Sequence, residues 1–140
     1  MTIKIMSRQE IEELINTGFP FGIDVISFSD TTDNSVIDFG EFPERLFTVK
    51  VDDFDYEELE EHGFTIDTYF PEAEELAEFI KQSITSNKDI ICQCEYGQGR
   101  SAGCAAAIME AVYGNGIGIF SDYRYFPNKV IYNKLISLLL

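Results

Sequence analysis

The chain has 140 residues, room for one domain with a substantial core; 45% of them are apolar, and no apolar run is long enough to span a membrane. Ten Lys and Arg stand against 25 Asp and Glu, a formal charge of −15, and that field repels nucleic acid and polyanionic ligands while favouring basic partners. The opening residues Met1-Thr2-Ile3-Lys4-Ile5 lack the apolar segment and cleavage site of a secretory signal, and three cysteines cannot pair evenly, so a reducing, cytoplasmic setting is expected.

Ile3 to Met6 reads as a short strand. Ser7-Arg8-Gln9-Glu10 has the form of a capping box and opens a helix that buries Ile11, Leu14 and Ile15 and ends at Gly18 and Pro20. Phe21 to Phe28 predicts a second strand, with Ile23 and Val25 alternating with polar or small neighbours, and it runs into the polar loop Ser29 to Asn34. Val36 and Ile37 fit a strand end and a loop anchor equally. Leu46 to Val51 alternates cleanly, Phe47, Val49 and Val51 against Thr48 and Lys50, and predicts a third strand.

The acidic stretch Asp52-Asp53-Phe54-Asp55-Tyr56-Glu57-Glu58-Leu59-Glu60-Glu61 follows. A solvated acidic face accounts for Glu57 to Glu61. Crowding of like charge also favours retention of a proton by one carboxylate of such a cluster, which is what a general acid needs. His62 is the only histidine and reads as a turn or surface imidazole beside Gly63. With that single histidine and the spacing Cys92-x-Cys94 there is no zinc pattern, and no metal or cofactor is implied.

Thr68 to Ile84 predicts a helix with Ala73, Leu76, Ala77, Ile80 and Ile84 on one face, Glu72, Glu74 and Glu75 near its positive start, and Pro71 in the first turn. Asn87-Lys88-Asp89 turns the chain into the buried strand Ile90-Ile91-Cys92. Cys94-Glu95-Tyr96-Gly97-Gln98-Gly99-Arg100-Ser101 comes next, ahead of a small-residue helix from Ala102 to Ala107. A strand, a loop and a helix start in this order present backbone N–H groups and a positive dipole end, a socket for an oxyanion such as phosphate. Gly97 and Gly99 let the backbone take positive φ and approach a ligand closely. In such a nest a thiol ionises more readily than a free cysteine, making Cys94 a nucleophile, while Arg100 offers a planar fork for two phosphoryl oxygens. Ser101 can donate its hydroxyl to the sulfur. A buried cysteine, a glycine turn and a surface-paired arginine would account for each residue and leave their spacing unexplained. Gly114-Asn115-Gly116 then makes a turn, and a last helix beginning near Pro127 buries Val130, Ile131, Leu135 and Leu138.

Cys-x-x-Gly-x-x-Arg-Ser between an apolar strand and a small-residue helix resembles the signature loop of the cysteine-dependent protein tyrosine phosphatase superfamily, in particular its compact dual-specificity-like branch of bacterial type. The resemblance runs from about Phe21 to the chain's end. It implies one α/β domain over 1–140, a central mostly parallel sheet flanked by helices. It further implies a tyrosine or dual-specificity phosphatase that hydrolyses phosphomonoesters through a cysteinyl-phosphate intermediate without a cofactor. Cys94 would attack, Arg100 and the amides of Glu95, Tyr96, Gly97, Gln98 and Gly99 would hold the phosphoryl oxygens, and Ser101 would assist the leaving thiolate. Alignment of the strand Thr48 to Val51 gives the general acid to Asp53, with Asp52 and Asp55 as alternatives. Tyr125-Phe126-Pro127-Asn128 resembles a segment that compact bacterial members carry before their last helix.

The implied substrate is a phosphorylated protein or a small aryl phosphate, with neither nucleic acid nor membrane as partner. Three features depart from the pattern. Gln93 stands where many members have a histidine, the span from Asp53 to Cys94 is longer than in the family, and Glu95, Tyr96 and Gln98 supply no basic residue of the kind phosphoinositide-specific members use. A pseudophosphatase that binds phosphoproteins without turnover and a rhodanese-like sulfurtransferase are the other readings. Cys92 and Cys104 fit either small buried hydrophobes or disulfide partners for an oxidised Cys94.

Overall fold

In the computed structural model, which describes residues 1–140, strands β1 (Ile3–Met6), β2 (Ile23–Ser29), β3 (Arg45–Lys50) and β4 (Asp89–Gln93) form one sheet in the order β1-β4-β2-β3. Every pairing is parallel, so the expected mostly parallel sheet is wholly so. The central strands β2 and β4 are covered on both faces and buried along nearly their whole length, whereas β3 at the edge alternates between buried and exposed positions. Asp24, Ser27 and Gln93 are the polar residues buried in them, and Asp24 on β2 is the only one that carries a carboxylate. Arg45 Nη2 at 2.8 Å and Ser83 Oγ at 2.6 Å both donate to its Oδ2, which pairs the buried charge, while Oδ1 is buried without a partner.

Helix α1 (Arg8–Thr17) covers one face with Ile11 against Val25, Phe39 and Ile91. Its capping box closes as expected, Ser7 Oγ accepting from Glu10 N and Glu10 Oε1 from Ser7 N. Helices α3 (Ala73–Thr85), α4 (Arg100–Tyr113) and α6 (Lys129–Leu139) cover the opposite face and enclose the larger core. The small residues of α4 let it pack closely. A Cβ at Gly103 would lie 2.5 Å from the carbonyl oxygen of Asn128.

Several boundaries differ from expectation. The helix expected from Thr68 begins at Ala73, because Phe70 takes φ 59° and precedes Pro71, whose ring disfavours helical backbone in the residue before it. Residues 66–70 form a turn and a bend instead, and Tyr69 is buried. The acidic run is partly helical. Asp55 caps α2 (Tyr56–Leu59), which tightens into one 3₁₀ turn at Glu60–His62 with Leu59 as its buried anchor. A short α5 (Ile117–Phe120) follows the glycine turn, and the last helix starts two residues beyond Pro127 with Asn128 as its N-cap. Val36 and Ile37 lie in irregular chain. No helix is long and apolar enough to cross a membrane.

A parallel sheet puts the carboxyl ends of all its strands at one edge, which is where open α/β folds bind ligands. The loop after β4, the start of the β2–β3 loop, the β3–α2 connection and the α5–α6 connection meet there.

Candidate active site

Strand β4 delivers Cys94 to that edge, and the β1–α1 junction braces the loop that follows. Cys94 N donates to Met6 O at 3.3 Å, and Arg8 N donates to Glu95 O at 3.1 Å. Gly97 has φ +66°, and a Cβ there would stand 2.7 Å from the backbone nitrogen of Ser7, so conformation and space both exclude a side chain. On the other flank, Phe126 N donates to Gln98 O at 2.8 Å and Asn128 N to Gly99 O at 3.0 Å. Three of the loop's carbonyls, those of Glu95, Gln98 and Gly99, are thus tied into the protein. None of the amides of residues 95 to 102 donates to a protein acceptor. Carbonyls held and N–H groups free is the polarity an anion socket needs, and the start of α4 adds its positive end.

Cys94 is 2% exposed, with Sγ 3.0 Å from the hydroxyl of the buried Ser101. Arg100, 4% exposed, is fixed through one nitrogen: Nη1 donates to Val51 O and to Asp30 Oδ1, each at 2.7 Å. Its Nε is buried without a partner. A buried N–H of a charged group left unpaired is costly, and the fork edge of the guanidinium is the edge that binds phosphate in bidentate fashion.

The three candidate acids separate by geometry. Asp52 ties down the β2–β3 loop, Oδ1 accepting from Thr31 N at 3.0 Å and Oδ2 from Thr31 Oγ1 at 2.9 Å. Asp55 accepts from Tyr56 N at 2.8 Å as a helix cap. Asp53 turns toward the loop. Its Oδ2 lies so close to Gly99 that a Cβ there would stand 2.2 Å away, and its Oδ1 accepts from Asn128 Nδ2 at 2.9 Å.

In the sequence Asn128 stands only as the end of the Tyr125–Asn128 segment, with no role of its own, and neither Tyr69 nor Asp30 stands out. Asn128 is 2% exposed, and its Nδ2 also reaches Phe54 O at 2.9 Å and Tyr69 Oη at 3.1 Å, while its Oδ1 caps α6 at Ile131 N. Tyr69 Oη donates to Asp52 O at 2.6 Å and accepts from Phe54 N at 3.3 Å, so it grips the backbone on both sides of Asp53. Burial above all pushes the Tyr69 hydroxyl up to about 12, which keeps it a donor. An N-cap signal at Asn128 was available in the sequence; Asp30, one polar residue among many in its loop, gave none.

Gln93 is buried and accepts from Ser27 Oγ, a strut between β4 and β2. His62 stacks on Phe54 with centroids 4.0 Å apart. Cys92 Sγ faces Cys104 Sγ at 3.8 Å, both fully buried, and burial followed by the Cys92 contact pushes the Cys104 thiol well up. No group of three or more His, Cys, Asp or Glu is placed to hold a metal ion.

No protein-family model matches the chain, and no curated protein sequence does. Solved structures do match. DUSP15 aligns with TM-score 0.62 and 13% identity over 98% of this chain and 82% of its own. A human tyrosine phosphatase-like serine/threonine/tyrosine-interacting protein aligns at 0.57 and 15% over 94% and 83%. PTPMT1, solved in complex with PI(5)P, aligns at 0.56 and 11% over 99% and 90%. The chain therefore has the fold of the compact dual-specificity phosphatases.

Proposed function

We propose that the protein is a cysteine-dependent phosphomonoester hydrolase of the tyrosine or dual-specificity type, acting on a phosphorylated protein or small aryl phosphate. The observation that carries this reading is the buried, unpartnered Nε of Arg100 beside a loop whose amides are unclaimed and whose cysteine stands 3.0 Å from a hydroxyl. In the first step Cys94 Sγ forms a bond to phosphorus as the bond to the leaving oxygen breaks, and Asp53 gives that oxygen its proton. Arg100 and the amides of residues 95 to 100 hold the three remaining oxygens as their charge redistributes. In the second step water attacks phosphorus, loses a proton to the Asp53 carboxylate, and the S–P bond breaks. Ser101 donates to the departing sulfur. The cycle consumes water and needs no cofactor, and a thiol nucleophile suits a reducing cytoplasm.

Turnover of an aryl phosphate by the purified protein, abolished in Cys94→Ser with the fold intact, is the test. A phosphoprotein-binding module without turnover is the second reading. It is favoured by Gln93, which holds Ser27 where many family members carry a histidine. Phosphate release at no more than the Cys94→Ser rate would select it.

A further inference from the structure

Beside the proposed phosphate loop runs an open groove of about 570 Å³ between the exposed face of α1 and the loop residues Glu95 and Tyr96. Glu12, Glu13 and Asn16 of α1, Glu95 and Tyr96 of the loop, and Arg8 at the helix start line it. Three carboxylates thus meet one guanidinium, and that guanidinium is already engaged. Arg8 Nε pairs with Glu12 at 2.8 Å, Nη1 with Asp33 at 3.3 Å and with Glu95 at 3.8 Å, and Nη2 donates to Ser35 O. Glu13 has no basic partner, and Tyr96 is 77% exposed, its ring standing free at the groove's edge. Carboxylates beside an accessible aromatic face suit a guanidinium or ammonium group, which takes charge from the one and cation–π attraction from the other.

The groove adjoins the proposed phosphate socket, since Glu95 and Tyr96, which line it, directly follow Cys94 in the loop. A ligand anchored by its phosphate on Arg100, whose buried Nε lacks a partner, therefore has its neighbouring atoms delivered to this acidic, aromatic channel. We propose that the groove is a flanking-residue subsite that selects phosphopeptides carrying Arg or Lys next to the phosphorylated residue. The proposal rests on the reading of the loop as a phosphate site and names the substrate class that site takes. A polyanionic headgroup meets the opposite field at the same place.

The test uses two phosphotyrosine peptides, identical except for Arg or Glu flanking the phosphorylated residue, titrated onto the Cys94→Ser protein. The Arg-flanked peptide is expected to bind about tenfold tighter at low salt, the gap shrinking as salt rises. The paired substitution Glu12→Gln and Glu13→Gln, on exposed positions of α1, is expected to reduce that preference about threefold. In the otherwise wild-type protein the same pair should leave unchanged the turnover of an aryl phosphate whose aryl group bears no charge. Equal binding of the two peptides, or a preference that the paired substitution does not move, overturns the proposal. Preferential binding without aryl phosphate turnover upholds this subsite and sinks the hydrolase reading, whereas turnover without preference sinks the subsite alone.

Discussion

The side-chain amide of Asn128 stands 2.9 Å from Oδ1 of Asp53 across 75 residues of chain, and the backbone nitrogen of the same asparagine holds Gly99 O at 3.0 Å. One residue thus fixes the distance between the proposed proton donor and the proposed phosphate loop. Asn128→Ser keeps a helix cap and removes the tether, so it separates the two duties. We expect kcat for an aryl phosphate to fall about 10²-fold, with KM changing far less and the limb of the pH–rate profile that reports the acid displaced. Asn128→Ala should in addition cost about 1 to 3 kcal/mol of stability in urea unfolding, since it also strips the cap and leaves buried partners unpaired.

Gly99 leaves the space that Asp53 occupies. A methyl group there would stand 2.2 Å from Oδ2, so Gly99→Ala must move the carboxylate or the loop. Substrates with poor leaving groups depend most on the proton donor. Their hydrolysis should drop by about 10²-fold while substrates with activated leaving groups lose much less, a contrast read from rates against leaving-group pKa. Uniform loss across the series would mean that the loop, rather than Asp53, had moved.

Asp30 holds Arg100 from a half-exposed loop position, with the Val51 carbonyl as the second anchor of Nη1. Asp30→Ala should weaken inhibition by inorganic phosphate or vanadate several-fold through a less well-ordered fork, with stability changed by less than about 1 kcal/mol. Unaltered inhibition constants would show that Val51 alone suffices.

Tyr69 links stability to pH. Its hydroxyl is raised from 10 to about 12, mainly by burial, so the folded protein retains a proton that the unfolded chain releases first. The stabilisation is fully present below pH 10 and lost as pH rises from there through about 12, because over that range the native state binds more protons than the unfolded one. Urea midpoints should fall across this range in the wild type and fall less in Tyr69→Phe. At neutral pH that variant should be less stable by about 1 to 3 kcal/mol, having lost the bonds to Asp52 O, Phe54 N and Asn128.

Local pattern carried most of the fold. Strand periodicity, the Ser7–Glu10 box and the strand-loop-helix order around Cys94 are each written in contiguous residues; the strands and the box form where expected to within two residues, and α4 begins at Arg100, inside the stretch read as loop. What was illegible depends on contacts between distant segments. Nothing near Asp53 in the sequence tells it from Asp52 or Asp55; the distinction comes from Thr31, Tyr56 and Asn128, which claim one carboxylate each. Asp30 likewise acquires its duty only when β2 and β3 lie parallel and bring it and Val51 to one guanidinium. The helix expected over Thr68 to Ile84 forms but starts late, at Ala73, for a local reason, the restriction Pro71 places on Phe70.

The central claim is a covalent bond between Cys94 and phosphorus. Rapid acid quench of the protein during turnover of an aryl phosphate, followed by mass spectrometry of the peptide containing Cys94, tests it directly, with Asp53→Asn included to slow the water step. The account predicts one phosphoryl group on that peptide, absent from Cys94→Ser and more abundant in Asp53→Asn than in the wild type. Turnover with the Cys94 peptide unmodified in both proteins, or a phosphoryl group on any other residue, would contradict it.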